Sequence, residues 1–209
     1  MAKSNLVPNM KYATLASDAQ VEKTAAALRA NGITVIVAEN KAQAREAVLG
    51  LLPQGASIFT GSSATLDALD IPNEVDAKYN SVRVQLSKMD YATQGGEMMK
   101  LGATPDVMLG SVHAVTEQGN VLVASATGSQ LAGYASSAGK VIWVVGSQKI
   151  VPNLEEGMKR IEEYTLALED ERALNAYGVN SAINKMLIIN REANPARTTM
   201  VIIKENLGY

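Results

Sequence analysis

The side chains in this sequence that can do chemistry are few. The single histidine, His113, stands four residues before Glu117 in the run S-V-H-A-V-T-E-Q-G, and Lys149 closes V-V-G-S-Q-K, four residues beyond an apolar run. Between them Thr127-Gly128-Ser129-Gln130 is the polar kernel of a segment built mostly from Ala, Ser, Thr and Gly, and upstream Thr60-Gly61-Ser62-Ser63 carries a glycine and three hydroxyls. An imidazole, a carboxylate and an ammonium brought together can move protons or hold an anion. A glycine and hydroxyl turn entering a helix adds free backbone N–H donors to such a site. Each feature also has a plain structural reading: a helix cap at Ser63, a solvated carboxylate at Glu117, a loop cation at Lys149, and small residues where a helix packs on a sheet.

Composition narrows the chemistry further. The chain has no cysteine and one histidine. Disulfides, thiolate zinc sites and iron–sulfur clusters held by this chain alone are therefore excluded, a tightly bound transition metal is not expected, and no cofactor is evident. A net charge of −2 with no basic face argues against nucleic acid as a partner. No apolar run approaches the ~18 residues of a membrane span and the first residues lack a signal-like apolar core, so a soluble, cytoplasmic protein with no membrane association is expected.

These residues need a scaffold, and 209 residues suffice for one substantial core. The pattern predicts an irregular N-terminal arm over residues 1–17 and a single domain over 18–209. From Asp18, Val21, Ala25 and Leu28 recur at helical spacing until Asn31-Gly32 stops them, and Ile33–Val37 is an apolar, β-branched run. A helix over Ala42–Leu52 and a strand at Ser57–Thr60 follow. This alternation predicts an α/β fold, a Rossmann-like and mostly parallel sheet with helices on both faces. Val82 and Val84 suggest an edge strand, and Thr93–Glu97 a break before a short helix.

Val107–Leu109, Val121–Val123 and Val141–Val145 read as three further strands. Between the first two, Ser111 to Gly119 reads as a short helix, capped by Ser111, ended by Gly119, and holding His113 neutral at the positive end of its dipole. From Pro152 an amphipathic helix carries Leu154, Met158, Ile161, Thr165 and Leu168 on one face, with Glu162, Glu163, Glu169, Asp170 and Glu171 as its solvated side. Met186–Ile189 and Thr198–Ile203 read as an antiparallel, β-rich C-terminal extension. Whether that extension covers the main sheet or meets a second subunit in a homodimer is left open. Polar residues that follow successive strands meet at the carboxyl edge of such a sheet, which is where an α/β fold places its ligands.

The blocks S-V-H-A-V-T-E-Q-G, A-S-A-T-G-S-Q-L, V-I-W-V-V-G-S-Q-K-I-V-P-N-L-E-E and K-E-N-L-G-Y resemble the lactate-utilisation (LUD) domain family in its short, single-domain branch, over nearly the whole chain from about Asp18. The resemblance implies the fold shared by glucosamine-6-phosphate isomerase, ribose-5-phosphate isomerase and the CoA-transferases. It also implies a place in organic-acid, lactate-type metabolism, with a small anionic metabolite as ligand and iron–sulfur proteins as partners. Gly61, Ser62, Ser63, Ser111, Gly128, Ser129, Gln130 and Lys149 would then bind the anion, and His113 and Glu117 would act as acid/base groups.

Thr116-Glu117-Gln118-Gly119 is in addition similar to the Ser-Glu-Asn-Gly block that carries the glutamate nucleophile of class I CoA-transferases, matching at Glu and Gly only. It supports an alternative in which an acyl-CoA- or sugar-phosphate-linked enzyme uses Glu117. A third alternative is a non-catalytic subunit of an iron–sulfur lactate-oxidation complex.

Overall fold

The computed structural model describes residues 4–209; the first three residues of the predicted arm lie outside that range. Among the described residues ten strands form two sheets. The first six are β1 (Thr34–Ala38), β2 (Ser57–Thr60), β3 (Asn80–Ser81), β4 (Val107–Gly110), β5 (Ala114–Thr116) and β6 (Val121–Ser125). They are followed by β7 (Lys140–Gly146), β8 (Ile150–Val151), β9 (Lys185–Ile189) and β10 (Thr198–Ile203). The main sheet, ordered β1-β10-β7-β4-β2-β3, is parallel throughout. The second sheet, ordered β8-β5-β6-β9, pairs β5 with β8 in parallel and is otherwise antiparallel.

The α-helices of the described residues are α1 (Asp18–Ala30), α2 (Lys41–Gly50), α3 (Ala64–Asp67), α4 (Ile71–Lys78), α5 (Val82–Leu86), α6 (Tyr91–Ala103), α7 (Leu154–Arg160) and α8 (Leu166–Tyr177). A π-helical turn at Ile161–Thr165 joins the last two. Among the described residues no helix is long and apolar enough to cross a membrane.

Strand β7 shows why the main sheet forms where it does. Val141, Trp143 and Val145 belong to the core on one face, with α1 and the second sheet, while Ile142 and Val144 belong to the core on the other, with α2 and α4. A strand covered on both sides must be apolar at every position, which is what K-V-I-W-V-V-G supplies after its first residue. Full burial of one such aliphatic side chain is worth about 1.5–3 kcal/mol. Trp143 also meets Tyr134 edge-on, with ring centroids 5.6 Å apart at 80°.

Local sequence accounts for most helix ends. Ser17 and Gln20 form a reciprocal capping box at α1, Asn153 caps α7 ahead of Glu155 and Glu156, and Gly178 closes α8 in the left-handed conformation at φ 72°.

Four expectations need correction. Ser111–Gly119 is not a helix: Ala114–Thr116 is β5, which turns back into β6 through Gly119 at φ 81°. β-Branched side chains paired on both strand edges outweigh the weak local helix preference. Val82 and Val84 lie in α5, leaving only Asn80–Ser81 as the edge strand, and α6 runs unbroken through Gly95 and Gly96. Finally, the last two strands do not pair with each other. β9 joins the second sheet beside β6, whereas β10 is inserted between β1 and β7 in the main sheet, so the chain end is part of the central core and not an extension.

The β5–β6 turn packs on the end of α1. A Cβ on Gly119 would lie 2.7 Å from Asn31 Nδ2 and 2.9 Å from backbone atoms of Ala27 and Leu28. Gly119→Ala therefore combines an unfavourable φ with a backbone clash and should destabilise the protein by about 2 kcal/mol or more, read as a lowered urea midpoint.

Candidate functional site

Strands β4 and β7 are neighbours in the main sheet, and β5 and β8 are neighbours in the second. The chain therefore crosses from sheet to sheet twice, side by side, through Ser111–His113 and through the short turn Ser147–Lys149. Both crossings leave from the carboxyl edge of the main sheet. They form one wall of a cavity of about 660 Å³, whose other walls are the Thr60–Thr65 turn, the loop 125–130, α8 and Tyr209.

Lys149 is 1% exposed, yet it contributes to the cavity wall. Its Nζ donates to Thr65 Oγ1 at 3.0 Å and to Ser111 Oγ at 3.0 Å. Among the described residues no carboxylate pairs with it. Burial first, and the positive charge of Arg160 second, hold its pKa well below the usual lysine range.

Arg160, 0% exposed, lies behind the same wall. Its Nε donates to Gln148 O at 3.3 Å, and its Nη1 donates to His113 O and, at 3.1 Å, to Thr165 Oγ1. One guanidinium thus ties both crossings together. Its Nη2 is buried without a partner, and its charge is not neutralised by any acidic side chain among the described residues. Burial lowers its pKa to about 10, which leaves it charged at neutral pH.

His113 sits in the first crossing. Its Nδ1 accepts from the Ala124 N–H at 3.0 Å, so in the neutral ring the proton is on Nε2, and that edge has no protein partner among the described residues. Burial, then the charges of Lys149 and Arg160, lower its pKa to about 3. The imidazole is therefore neutral, as the sequence suggested, but the cause is burial beside cations and not a helix dipole.

Of the residues singled out in the sequence, Gly61, Ser62, Ser63, Ser111, His113, Ser129, Gln130 and Lys149 all line this one cavity. Gly128 does not. It sits at φ 86° over the Lys185 side chain and shapes the loop, whose N–H it gives to Ser125 Oγ at 2.8 Å. Glu117 is elsewhere: at the turn of the second sheet it accepts from Lys23 Nζ at 2.6 Å and Gln20 Nε2 at 3.1 Å, both from α1. Those bonds, Lys23 foremost, lower its pKa. It docks a helix and does not reach the cavity.

The structure adds residues that the sequence reading missed. Thr65 accepts from Lys149 and donates to Leu207 O at 3.1 Å, while Gln148 Nε2 donates to Leu207 O at 2.9 Å and Gly208 O at 3.1 Å, so the chain end is fastened across the site. Tyr209 donates to Glu169 Oε2 at 2.8 Å, and Arg172 grips the same carboxylate at 2.7 and 2.6 Å. Glu169 thus belongs to the rim. Asp170, expected to be solvated, is buried and accepts from Ser4, Asn180 and Ser181. The available sequence signal was Arg160 itself, a cation set between Gly157 and Ile161 on the buried stripe of its helix.

Two stability measurements test this electrostatic reading. Lys149→Met removes a buried amine that has no counter-charge while Thr65 and Ser111 keep their own carbonyl acceptors, so the variant should be as stable as the parent or about 1 kcal/mol more stable in urea. For His113, the unfolded state takes up a proton near pH 6.5 and the folded state only near 3. Its neutral burial therefore contributes stability that is intact above pH 6.5 and is lost as pH falls towards 3. His113→Asn, which can keep the Ala124 hydrogen bond, should lose less stability than the parent between pH 7 and pH 4.

The family model described as LUD domain matches residues 21–206. No curated protein sequence matches the chain. Among solved structures, the chain is similar to a DUF162 family protein from Deinococcus radiodurans, with a TM-score of 0.53 and 11% identity over 91% of this chain and 99% of that one. That likeness shows the fold alone. Ribose 5-phosphate isomerase from Plasmodium falciparum aligns with 60% of this chain and 65% of its own at 14% identity, but its TM-score of 0.34 is too low to carry an argument. With the family model spanning nearly all of the sequence, the chain belongs to the LUD domain family.

Proposed function

We propose that this LUD-domain protein binds a small anionic metabolite of organic-acid, lactate-type metabolism in the cavity at the carboxyl edge of its main sheet. One observation carries the reading. Lys149 is buried in one wall of a solvent-connected cavity and Arg160 lies behind that wall, with no acidic side chain paired to either among the described residues. The unpaired buried charge of Arg160 is costly, and an anionic ligand at the wall in front of it supplies the missing charge. Serine hydroxyls of the Gly61–Ser63 turn and of the Ser129–Gln130 loop line the opposite walls and suit carboxylate oxygens. Among the described residues the one acidic side chain on the rim, Glu169, is already paired with Arg172.

Within this reading the His113 Nε2–H is a hydrogen-bond donor to the ligand and not a proton source, because the ring stays neutral down to about pH 3. The alternative built on Glu117 as nucleophile or base loses its footing, since that carboxylate is engaged by α1 away from the cavity. An assembly subunit without a ligand remains the rival of a different class, and binding measurements separate the two.

A thermal-shift and calorimetric screen with lactate, pyruvate, sugar phosphates and nucleotides tests the proposal. At least one carboxylate or phosphate should bind, and Lys149→Met, which replaces the polar group of the wall in front of Arg160 by an apolar one, should weaken it by about tenfold or more. Glu117→Gln should leave the same affinity unchanged. A parent protein that binds none of these anions, or one whose binding is indifferent to Lys149→Met, would defeat the assignment.

A further inference from the structure

The surroundings of Lys149 raise a question of valence. Its two polar neighbours, Thr65 Oγ1 and Ser111 Oγ, each spend their own hydrogen on a carbonyl, Leu207 O at 3.1 Å and Val144 O at 2.7 Å respectively. Both hydroxyls therefore meet Nζ as acceptors, and Nζ is the donor in both contacts, each 3.0 Å long. An ammonium has a third N–H, for which the described residues offer neither acceptor nor carboxylate. A neutral amine has only two, both of them used, and its lone pair is left over as the fourth tetrahedral direction.

Three independent features favour the neutral form. The side chain is almost completely buried. Among the described residues no counter-ion accompanies it, and the charged group that bears on it, Arg160, is also a cation. Desolvation beside another cationic group is the setting in which lysine amines become nucleophiles.

We propose that Lys149 is a carbonyl-capturing nucleophile, its amine held by Thr65 and Ser111 so that the lone pair meets the C2 carbonyl of a 2-oxo acid in the cavity and forms an imine. The nitrogen lone pair makes the new C–N bond as the C=O π pair moves onto oxygen. A proton passes from nitrogen to that oxygen to give a carbinolamine, the hydroxyl leaves with the second amine proton, and one water is released for each C=N formed. No oxidant, reductant or further reactant enters.

Two neighbours fit the step. The neutral His113 ring presents Nε2–H on the same wall and can polarise the ligand oxygen, as a neutral imidazole does for other carbonyl substrates. The uncompensated charge of Arg160 favours a carbonyl compound that also carries a carboxylate over a plain aldehyde.

The inference rests on the anion-binding reading and deepens it, so its test must separate the two. The full chain is incubated at neutral pH with pyruvate, 2-oxobutyrate or glyoxylate in separate reactions, each with sodium cyanoborohydride, and analysed by intact mass and peptide mapping. The expected result with at least one acid is a single adduct on the peptide bearing Lys149, with a mass gain equal to that acid less one oxygen atom. It should be absent in Lys149→Met and slowed by excess lactate, which carries the carboxylate but no carbonyl. A thermal shift by the same 2-oxo acid without any Lys149 adduct overturns the imine and leaves anion binding standing. No shift and no adduct overturns both, and adducts scattered over surface lysines, unchanged in Lys149→Met, overturn the nucleophile.

Discussion

The arrangement depends on one buried guanidinium. Arg160 reaches from the end of α7 to the carbonyls of His113 and Gln148, one in each of the two crossings between the sheets. Lys149 also links the crossings by donating to Ser111 Oγ, but among the described residues Arg160 alone bonds to both carbonyls. Burying a charge without an acidic partner costs several kcal/mol, and carbonyl dipoles, the Thr165 hydroxyl and the Tyr164 ring, 5.1 Å from the guanidinium carbon, offset only part of that. A clamp needed for packing alone would be met more cheaply by apolar side chains of the same volume. A cation in this place does something they cannot: it sets a positive field at the wall of the cavity, and that field acts on His113 and Lys149 alike.

The location of the cavity follows from the topology. Parallel strands all end at one edge, and wherever neighbouring strands continue into a second sheet their crossings run together and leave a cleft beside them. β4 and β7 do this, while β2, next to β4, ends instead in the Thr60–Thr65 turn and closes another side. β10 lies on the far side of β7 and carries the chain on to Leu207, so the tail lies over the same edge and is fastened by Thr65 and Gln148. The site thus gathers segments from residue 60 to residue 209, and its rigidity is that of the sheet beneath it.

Much of this was legible in the sequence, for reasons that also explain what was not. Continuous apolar runs such as Val141–Val145 announce strands covered on both faces, and residues that follow such strands fall near one edge whatever the details of their loops; His113, Ser63 and Lys149 were placed on that basis alone. Ser111–Gly119 was misread because a serine cap, a short apolar stretch and a terminal glycine describe a hairpin as well as a helix, and only pairing with β6 and β8, which is not local, decides between them. Glu117 was misplaced as a consequence. It opens the β5–β6 turn instead of closing a helix, and there Lys23 and Gln20 of α1 hold it. Met200–Ile203, buried at every position, did carry the mark of a central parallel strand, but its position at the end of the chain suggested an appendage. Arg160 falls on the buried stripe of its helix, but a cation on a long charged helix is ordinarily solvated, which masks that signal.

Fold and family together do not name a reaction, since one architecture supports many, and the distinguishing information lies in a handful of side chains. Here the informative quantity is the bookkeeping of protons around Nζ of Lys149. Two hydroxyls could equally have been arranged to donate to the nitrogen, which would have consumed its lone pair; instead each is turned away towards a carbonyl, Leu207 or Val144. Both acceptor carbonyls belong to well-buried residues; a reversed Ser111 hydroxyl would forfeit its bond to Val144 O, and a reversed Thr65 hydroxyl its bond to Leu207 O, which would keep only Gln148 Nε2 as donor. The polarity of the pair is therefore favoured by β7 and by the chain end, through the carbonyls of Val144 and Leu207. That is the signature of a site preorganised by its scaffold, and it makes the fastening of the tail, which looks like simple closure of the fold, a determinant of the chemistry available at the lysine.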